Sequence, residues 1–120
     1  MGKTTQNLPK GEPMNKDKYV GLDVDSATIV AHVIDGKGNF VQEATFEANA
    51  VRVREFIRGL SGRVHVAFEE GSMAAWLYDV IRPLVGEAVV CDPRRNKLIQ
   101  SGNKGDRVDS KKLARLLRLG

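Results

Sequence analysis

The chain has a single cysteine among 120 residues, Cys91. An internal disulfide is therefore excluded, and a lone thiol suits a reducing compartment. Cys91 ends the apolar, strand-like run AVVC, which favours core packing over a nucleophilic role. No apolar run approaches the ~20 residues that cross a bilayer, so no membrane partner is expected. The opening MGKTTQNLPKGEPMNKDK has no apolar h-region and is not a signal peptide. Gln6 stands where a myristoylation signal requires Ser or Thr. The GKTT of the same stretch lacks the upstream glycine and strand of a phosphate-binding P-loop. What remains is polar, and residues 1–17 read as a solvated, disordered tail. Residues 18–120 suffice for one domain with a hydrophobic core.

Charge is present but unevenly placed. The net charge is +4. From Arg94 to Gly120 stand nine basic residues (Arg94, Arg95, Lys97, Lys104, Arg107, Lys111, Lys112, Arg115, Arg118) against Asp106 and Asp109, a balance of +7 that leaves −3 for the rest. Such asymmetry points to a polyanion partner. The plainer alternative is a solvated helix face. All of these basic residues except Arg118 are candidate nucleic-acid contacts.

Hydrophobic periodicity orders the domain. KYVGLDV (Lys18 to Val24) alternates Tyr19, Gly21 and Asp23 with Val20, Leu22 and Val24, a strand pattern. TIVAHVID is a second strand, DGKGN (Asp35 to Asn39) a hairpin-type turn, and FVQEATFE a third strand with the mixed pattern of an edge. Asn49 suits the cap of a helix from about Ala50 to Leu60, with Val53, Phe56, Ile57 and Leu60 on one face. RVHVAFE (Arg63 to Glu69) is apolar on both faces, which predicts an interior strand. A helix runs from about Met73 to Ile81 or Leu84, bent or ended by Pro83 and packed through Trp76 and Tyr78. EAVVCD is a short fifth strand. Asp92-Pro93 then opens a short basic helix, PRRNKLIQ, followed by the linker SGNKG. The last helix is expected to begin near Asp106 or Arg107. The order β-β-β-α-β-α-β-α-α predicts an α/β fold. It has a mixed five-stranded sheet, three antiparallel strands followed by βαβ units, with helices on the faces.

In the last helix, Leu113, Leu116 and Leu117 are the expected buried face. At 3.6 residues per turn Asp106 and Asp109 fall on that side, while Lys111, Lys112, Arg115 and Arg118 take the other. Inward carboxylates are expensive without a partner. Asp23 is similarly out of place in the middle of a strand, and Glu69 ends the fourth strand. If these strands are neighbours, Asp23, Glu69, Asp106 and Asp109 converge. Their mutual repulsion would raise their pKa values, and a hard divalent cation, Mg²⁺ or Mn²⁺, removes the conflict. Two such ions about 3.5–4 Å apart perform phosphodiester chemistry. The plainer readings are that Asp106 caps the helix, that Asp109 favours its dipole, and that Asp23 faces solvent. Glu69 and Glu70 are adjacent, so only one can point to the site. Glu69 is favoured and Glu70 is the alternative carboxylate. Asp25 and Asp35 suit turns, and His65 suits a structural role.

The stretches YVGLDVDSATIVAHVID, VHVAFEEGSMAAWLYDVI and VVCDPRRNKLIQSGNKGDRVDSKKLARLL together resemble the N-terminal domain of the DEDD transposases of bacterial insertion sequences. These are bridge-RNA-guided DNA recombinases. The resemblance covers residues 18–120. It implies a RuvC-like domain of ribonuclease H-like fold and a catalytic, metal-binding tetrad of Asp23, Glu69, Asp106 and Asp109. It also implies Mg²⁺- or Mn²⁺-dependent DNA cleavage and strand transfer in DNA transposition. The implied partners are DNA and a structured guide RNA, in a homo-oligomer of the full-length form. The implied location is the bacterial cytoplasm, in association with the nucleoid. In the family the glutamate is usually followed by small residues and a glycine, whereas Glu70 follows here. Family members continue into a helical segment and a C-terminal domain bearing a nucleophilic serine. Ser26, Ser61, Ser72, Ser101 and Ser110 match none of that motif, so the chain is expected to be truncated and inactive alone. Val108, Leu116 and Leu119 would then be partly uncovered, favouring self-association. One alternative function is a nucleic-acid-binding remnant without catalysis, whose affinity falls as salt rises. Another is an actin-like or sugar-kinase ATPase lobe, which GLDVDSATIVAHVID resembles without the glycine-threonine pair of its turn.

Overall fold

The computed structural model describes residues 16–92 and 109–120. Five strands form one sheet: β1 (Lys18–Val24), β2 (Thr28–Asp35), β3 (Phe40–Glu47), β4 (Val64–Glu69) and β5 (Glu87–Cys91). Their order is β3-β2-β1-β4-β5. β2 pairs antiparallel with β1 and β3, while β4 pairs parallel with β1 and β5. The helices are α1 (Ala50–Arg58), α2 (Ala74–Ile81) and α3 (Ser110–Leu119). The mixed sheet expected from the sequence is therefore present, with β3 at an edge and β4 in the interior. The basic helix PRRNKLIQ and the linker SGNKG lie outside the described residues.

Strand periodicity divides the residues between two layers. Val20 and Leu22 of β1, Ile29, Ala31 and Val33 of β2, and Val64, Val66 and Phe68 of β4 form one buried face. Against it pack Val53 and Ile57 of α1 and Leu77 and Ile81 of α2. Each fully buried side chain of this size contributes about 1.5–3 kcal/mol. Asn49 caps α1, its side chain accepting the Arg52 amide at 2.9 Å. Phe46 stacks on Phe56 with centroids 5.0 Å apart and ties β3 to α1. Trp76 and Tyr78 pack on the same core, as expected. Pro83 falls in a 3-10 turn, Arg82–Leu84, that directly follows α2.

The turn aspartates behave as the sequence suggests. Asp35 Oδ1 accepts the Lys37 and Asn39 amides, each at 2.9 Å. These bonds, that of Asn39 foremost, hold its carboxyl below the usual carboxylate range. Gly38 completes this turn at φ +90°, a conformation that side chains disfavour. Asp25 Oδ1 accepts the Ser26 amide at 2.8 Å.

The opposite face is built in rows across the strands. Tyr19, His65 and Glu87 form the first row, and Gly21, Ala67 and Val89 the second. His65 is structural, as expected. Its Nδ1 lies 2.7 Å from Glu87 Oε1 and its Nε2 3.1 Å from Asp17 Oδ1. Its ring stacks on Tyr19 at 4.5 Å. Asp17 is thus tied to β4, although the sequence places it in the tail.

α3 lies over the second row. It begins at Ser110, not near Asp106 or Arg107, because Asp109 is its N-cap with extended backbone. Its buried residues are Ser110, Leu113 and Ala114, with Leu117 packed beside Ala67 and Leu113. Leu116, expected to be buried, is 36 % exposed and Leu119 is 73 % exposed. The inward stripe is Ser110, Leu113, Ala114 and Leu117, at i, i+3, i+4 and i+7, because Gly21 lets the small Ser110 and Ala114 meet the sheet, and Leu116 falls on its flank. Arg118, expected on the solvent side, donates from Nη1 to the Gly36 carbonyl at 3.3 Å. α3 therefore runs from the carboxyl end of β1 toward the β2–β3 turn.

Candidate active site

Gly21 decides how closely α3 approaches the sheet. A Cβ there would overlap the Ser110 carbonyl oxygen and lie 2.7 Å from the Ala114 nitrogen and 2.9 Å from Leu113 Cβ. A glycine inside a strand often marks such a backbone approach. Its position in KYVGLDV was the available signal for a docked helix, and the sequence reading used Gly21 only as part of an alternating pattern.

Two residues beyond Gly21, on the same face, stands Asp23. It is the penultimate residue of β1, not a mid-strand residue. Strand termini relax the constraints that disfavour aspartate in a strand interior. The parallel ladder pairs Leu22 with Phe68, so one step further Asp23 and Glu69 share a row on the α3 face. Glu69 pairs in register with Cys91 of β5. The Cys91 thiol is pushed above its ordinary value, chiefly by burial and secondarily by the Glu69 charge. The strand register accounts for that influence, since Glu69 and Cys91 are cross-strand partners. Cys91 itself is half-buried and packs beside Ala67 and Leu113, as expected of a packing residue.

Asp23 and Glu69 are half-buried, whereas Glu70 is exposed and follows the strand. The Glu70 amide donates to the Cys91 carbonyl at 2.8 Å. Strand alternation therefore sets Glu69, not Glu70, beside Asp23.

Asp109 enters from α3. Its Oδ1 accepts the Lys112 amide at 2.9 Å, so it caps the helix and is exposed. It does not lie on the buried face, where the expected helix start would have put it. The direction of α3 nevertheless brings this N-terminus to the end of the sheet face that holds Asp23 and Glu69. Asp106 lies outside the described residues, as do Arg94, Arg95, Lys97, Lys104, Arg107 and Val108. Lys111, Lys112 and Arg115 are exposed on α3. Among the described residues, no three carboxylate, imidazole or thiol side chains form a group able to hold a metal ion. No described helix is long and apolar enough to cross a membrane.

On the other face, at the same edge of the sheet, a cleft of ≈ 370 Å³ opens between the β1–β2 turn, the end of β4 and the start of α2. No local pattern marks it, because it arises from where three separate segments end.

The strand order, with three antiparallel strands followed by two parallel ones, is that of a ribonuclease H-like fold. Among solved structures, the ethanolamine utilization protein EutJ from Carboxydothermus hydrogenoformans is similar at 20% identity and a TM-score of 0.45. That likeness covers 72% of this chain and 40% of the other, so this chain spans less than half of that protein's length. No curated protein matches the chain. The model of a transposase family, the DEDD transposases of the IS110 type, matches residues 20–120 and so takes in the described strands and helices except the first two residues of β1. The chain belongs to this transposase family.

Proposed function

We propose that the chain is the metal-dependent, DNA-cleaving domain of a transposase and that Asp23, Glu69, Asp106 and Asp109 form its carboxylate tetrad. The observation that carries this reading is the parallel pairing of β1 and β4 up to Leu22 and Phe68, which sets the next residues, Asp23 and Glu69, at the carboxyl ends of adjacent strands, with the N-terminus of α3 directed to the same end. The donors are all carboxylate oxygens, the set that Mg²⁺ or Mn²⁺ takes. The described carboxylates do not form such a group by themselves, so Asp106 is given a place among the ligands. When bound, the ions supply Lewis-acid stabilisation of the phosphate and an activated oxygen nucleophile. The strands hold Asp23 and Glu69 in place, and Gly21 allows α3 to seat Asp109 at their end. Lys111, Lys112 and Arg115 take DNA phosphates along the exposed side of α3, which adds a salt-dependent, sequence-independent part of the affinity.

The strand transfer step, a structured guide RNA and homo-oligomerisation belong to the same reading. So do a serine-bearing C-terminal domain required for complete recombination and a cytoplasmic, nucleoid-associated location. The exposure of Leu116 and Leu119 supports self-association.

Calorimetric titration of Mn²⁺ into the chain and its Asp23→Asn variant tests the metal role. Saturable binding that the variant loses is the expected result. Equal binding by both proteins refutes it. A second reading, nucleic-acid binding without catalysis, is favoured by Asp109 serving as a helix cap. It predicts salt-sensitive DNA binding with no Mn²⁺ uptake.

A further inference from the structure

The cleft at the carboxyl edge of the sheet is not used by the tetrad, yet it meets the candidate centre at Glu69. Its volume of ≈ 370 Å³ falls in the range of small-molecule sites. Val24, Met73 and Ala74 supply half-buried apolar wall. At its rim stand Asp25 and Glu70, both exposed. Asp25 Oδ1 already accepts the Ser26 amide, which fixes the orientation of that carboxylate. Among the described residues its lining contains no lysine or arginine, and its two rim carboxylates repel a phosphate group. A flat, partly apolar group with amino hydrogens at its edge is a good occupant.

We propose that this cleft is a nucleoside subsite, and that it favours bases carrying an exocyclic amino group presented to Asp25 or Glu70. The inference rests on the reading of the chain as a DNA-cleaving domain. Glu69 borders both the candidate centre and the cleft, so a strand whose phosphate lies at Asp23 and Glu69 reaches the mouth of the cleft with its neighbouring nucleoside by turning over the carboxyl edge of the sheet. An ionised carboxylate only accepts hydrogen bonds. Cytosine N4 and adenine N6 each present two amino hydrogens at the edge of the base, whereas unpaired thymine offers only its N3–H, set between two carbonyl oxygens that a carboxylate repels. Cytosine and adenine are thus selected over thymine. An unpaired nucleoside is the occupant, because a base inside a duplex cannot enter a pocket without leaving the stack.

Fluorescence anisotropy of labelled dC, dA and dT homopolymers on the 120-residue chain, with Mn²⁺ present, tests this. We expect dC and dA to bind on the order of tenfold more tightly than dT. Asp25→Asn together with Glu70→Gln replaces each acceptor by an amide that also donates, so the preference should collapse to within about twofold. Ser72→Leu fills the cleft from its exposed rim with little demand on the fold. It should weaken dC and dA to the level of dT. Equal binding of all three oligomers by the unaltered chain overturns the proposal. So does a preference that survives both the double variant and Ser72→Leu. Mn²⁺ titration of the same samples separates the two readings. Mn²⁺ binding without base preference sinks the subsite alone. Base preference without Mn²⁺ binding keeps the subsite and sinks the metal role.

Discussion

Replacing Gly21 by alanine adds one methyl group where the α3 backbone already touches the sheet. The new Cβ would overlap the Ser110 carbonyl oxygen and stand 2.7 Å from the Ala114 nitrogen. Restoring an ordinary 3.4 Å contact to that nitrogen moves the helix by about 0.7 Å, and clearing the carbonyl moves it further. Backbone on both sides gives the site no flexible side chain to yield. Overpacking of this kind costs about 1–3 kcal/mol, occasionally more. The ceiling is set by detachment of α3. That exposes Leu113 fully and removes the packing of Ala114 and half-buried Leu117, a loss of about 3–5 kcal/mol. The expected destabilisation is therefore about 3 kcal/mol, read by urea unfolding with far-UV circular dichroism. Hydrogen exchange should show the loss first in the amides of residues 113–119, while those of β1 and β4 stay protected. A change below about 0.5 kcal/mol, or a loss spread evenly over the sheet, would refute the close seating of α3 on Gly21.

The depressed Asp35 carboxyl gives a pH signature. Its stabilising contribution is complete above the ordinary carboxylate value and is lost as pH falls through the lower folded value. NMR titration should find Asp35 titrating below the unfolded chain's aspartates, and an ordinary midpoint would refute the turn geometry. The Cys91 thiol, raised by burial and by Glu69, should react slowly with iodoacetamide at neutral pH. Glu69→Gln should speed alkylation at mildly alkaline pH, and an unchanged rate would mean that the Glu69 carboxylate is not near the thiol. Asp109→Ser separates two roles, since serine caps helices about as well as aspartate. Stability should stay within about 0.5 kcal/mol while Mn²⁺ affinity falls, and unchanged affinity would leave Asp109 as a cap alone.

The sheet was legible because each strand carries a short-range pattern. Val20 and Leu22 alternate with Gly21 and Asp23, and DGKGN marks the only tight turn that joins β2 to β3. Strand directions also followed from connection lengths, since hairpins force antiparallel neighbours and helices permit parallel ones, whereas the adjacency of β1 and β4 is established by the ladder alone. The start of α3 was not legible in the same way. Asp106, Asp109 and Ser110 are all competent caps, and periodicity alone cannot choose among them. The choice is tertiary, made as Asp109 turns to cap the helix with Ala114 over Gly21 and Leu113 beside Ala67. Leu116 was misplaced for another reason: its apolar character suggested burial, whereas the close approach at Gly21 turns the small Ala114 inward instead.

The same comparison explains why the carboxylates were partly readable. Asp23 and Glu69 were conspicuous because a strand rarely tolerates charge, and their pairing needed only that β1 and β4 be neighbours, which the ladder establishes. The end of the strand at Glu69 was read from RVHVAFE and is where β4 ends, which leaves Glu70 outside the alternation. Asp109 was conspicuous for a different reason, its distance from Leu113, and that reason does not hold, because the cap position removes it from the helix face altogether. The approach of the α3 N-terminus to the carboxyl end of β1 rests instead on the glycine in β1 and on Arg118, which together fix the seat and direction of α3. A carboxylate at a helix N-cap is already favoured by the helix dipole. In the proposed metal centre a cation at Asp109 competes with the amide of Lys112, and the charges of Asp23 and Glu69 tip that competition toward the cation. The proposal therefore expects the affinity for Mn²⁺ to depend more steeply on Asp23 and Glu69 than on Asp109, an order of sensitivity that single substitutions at the three positions would expose.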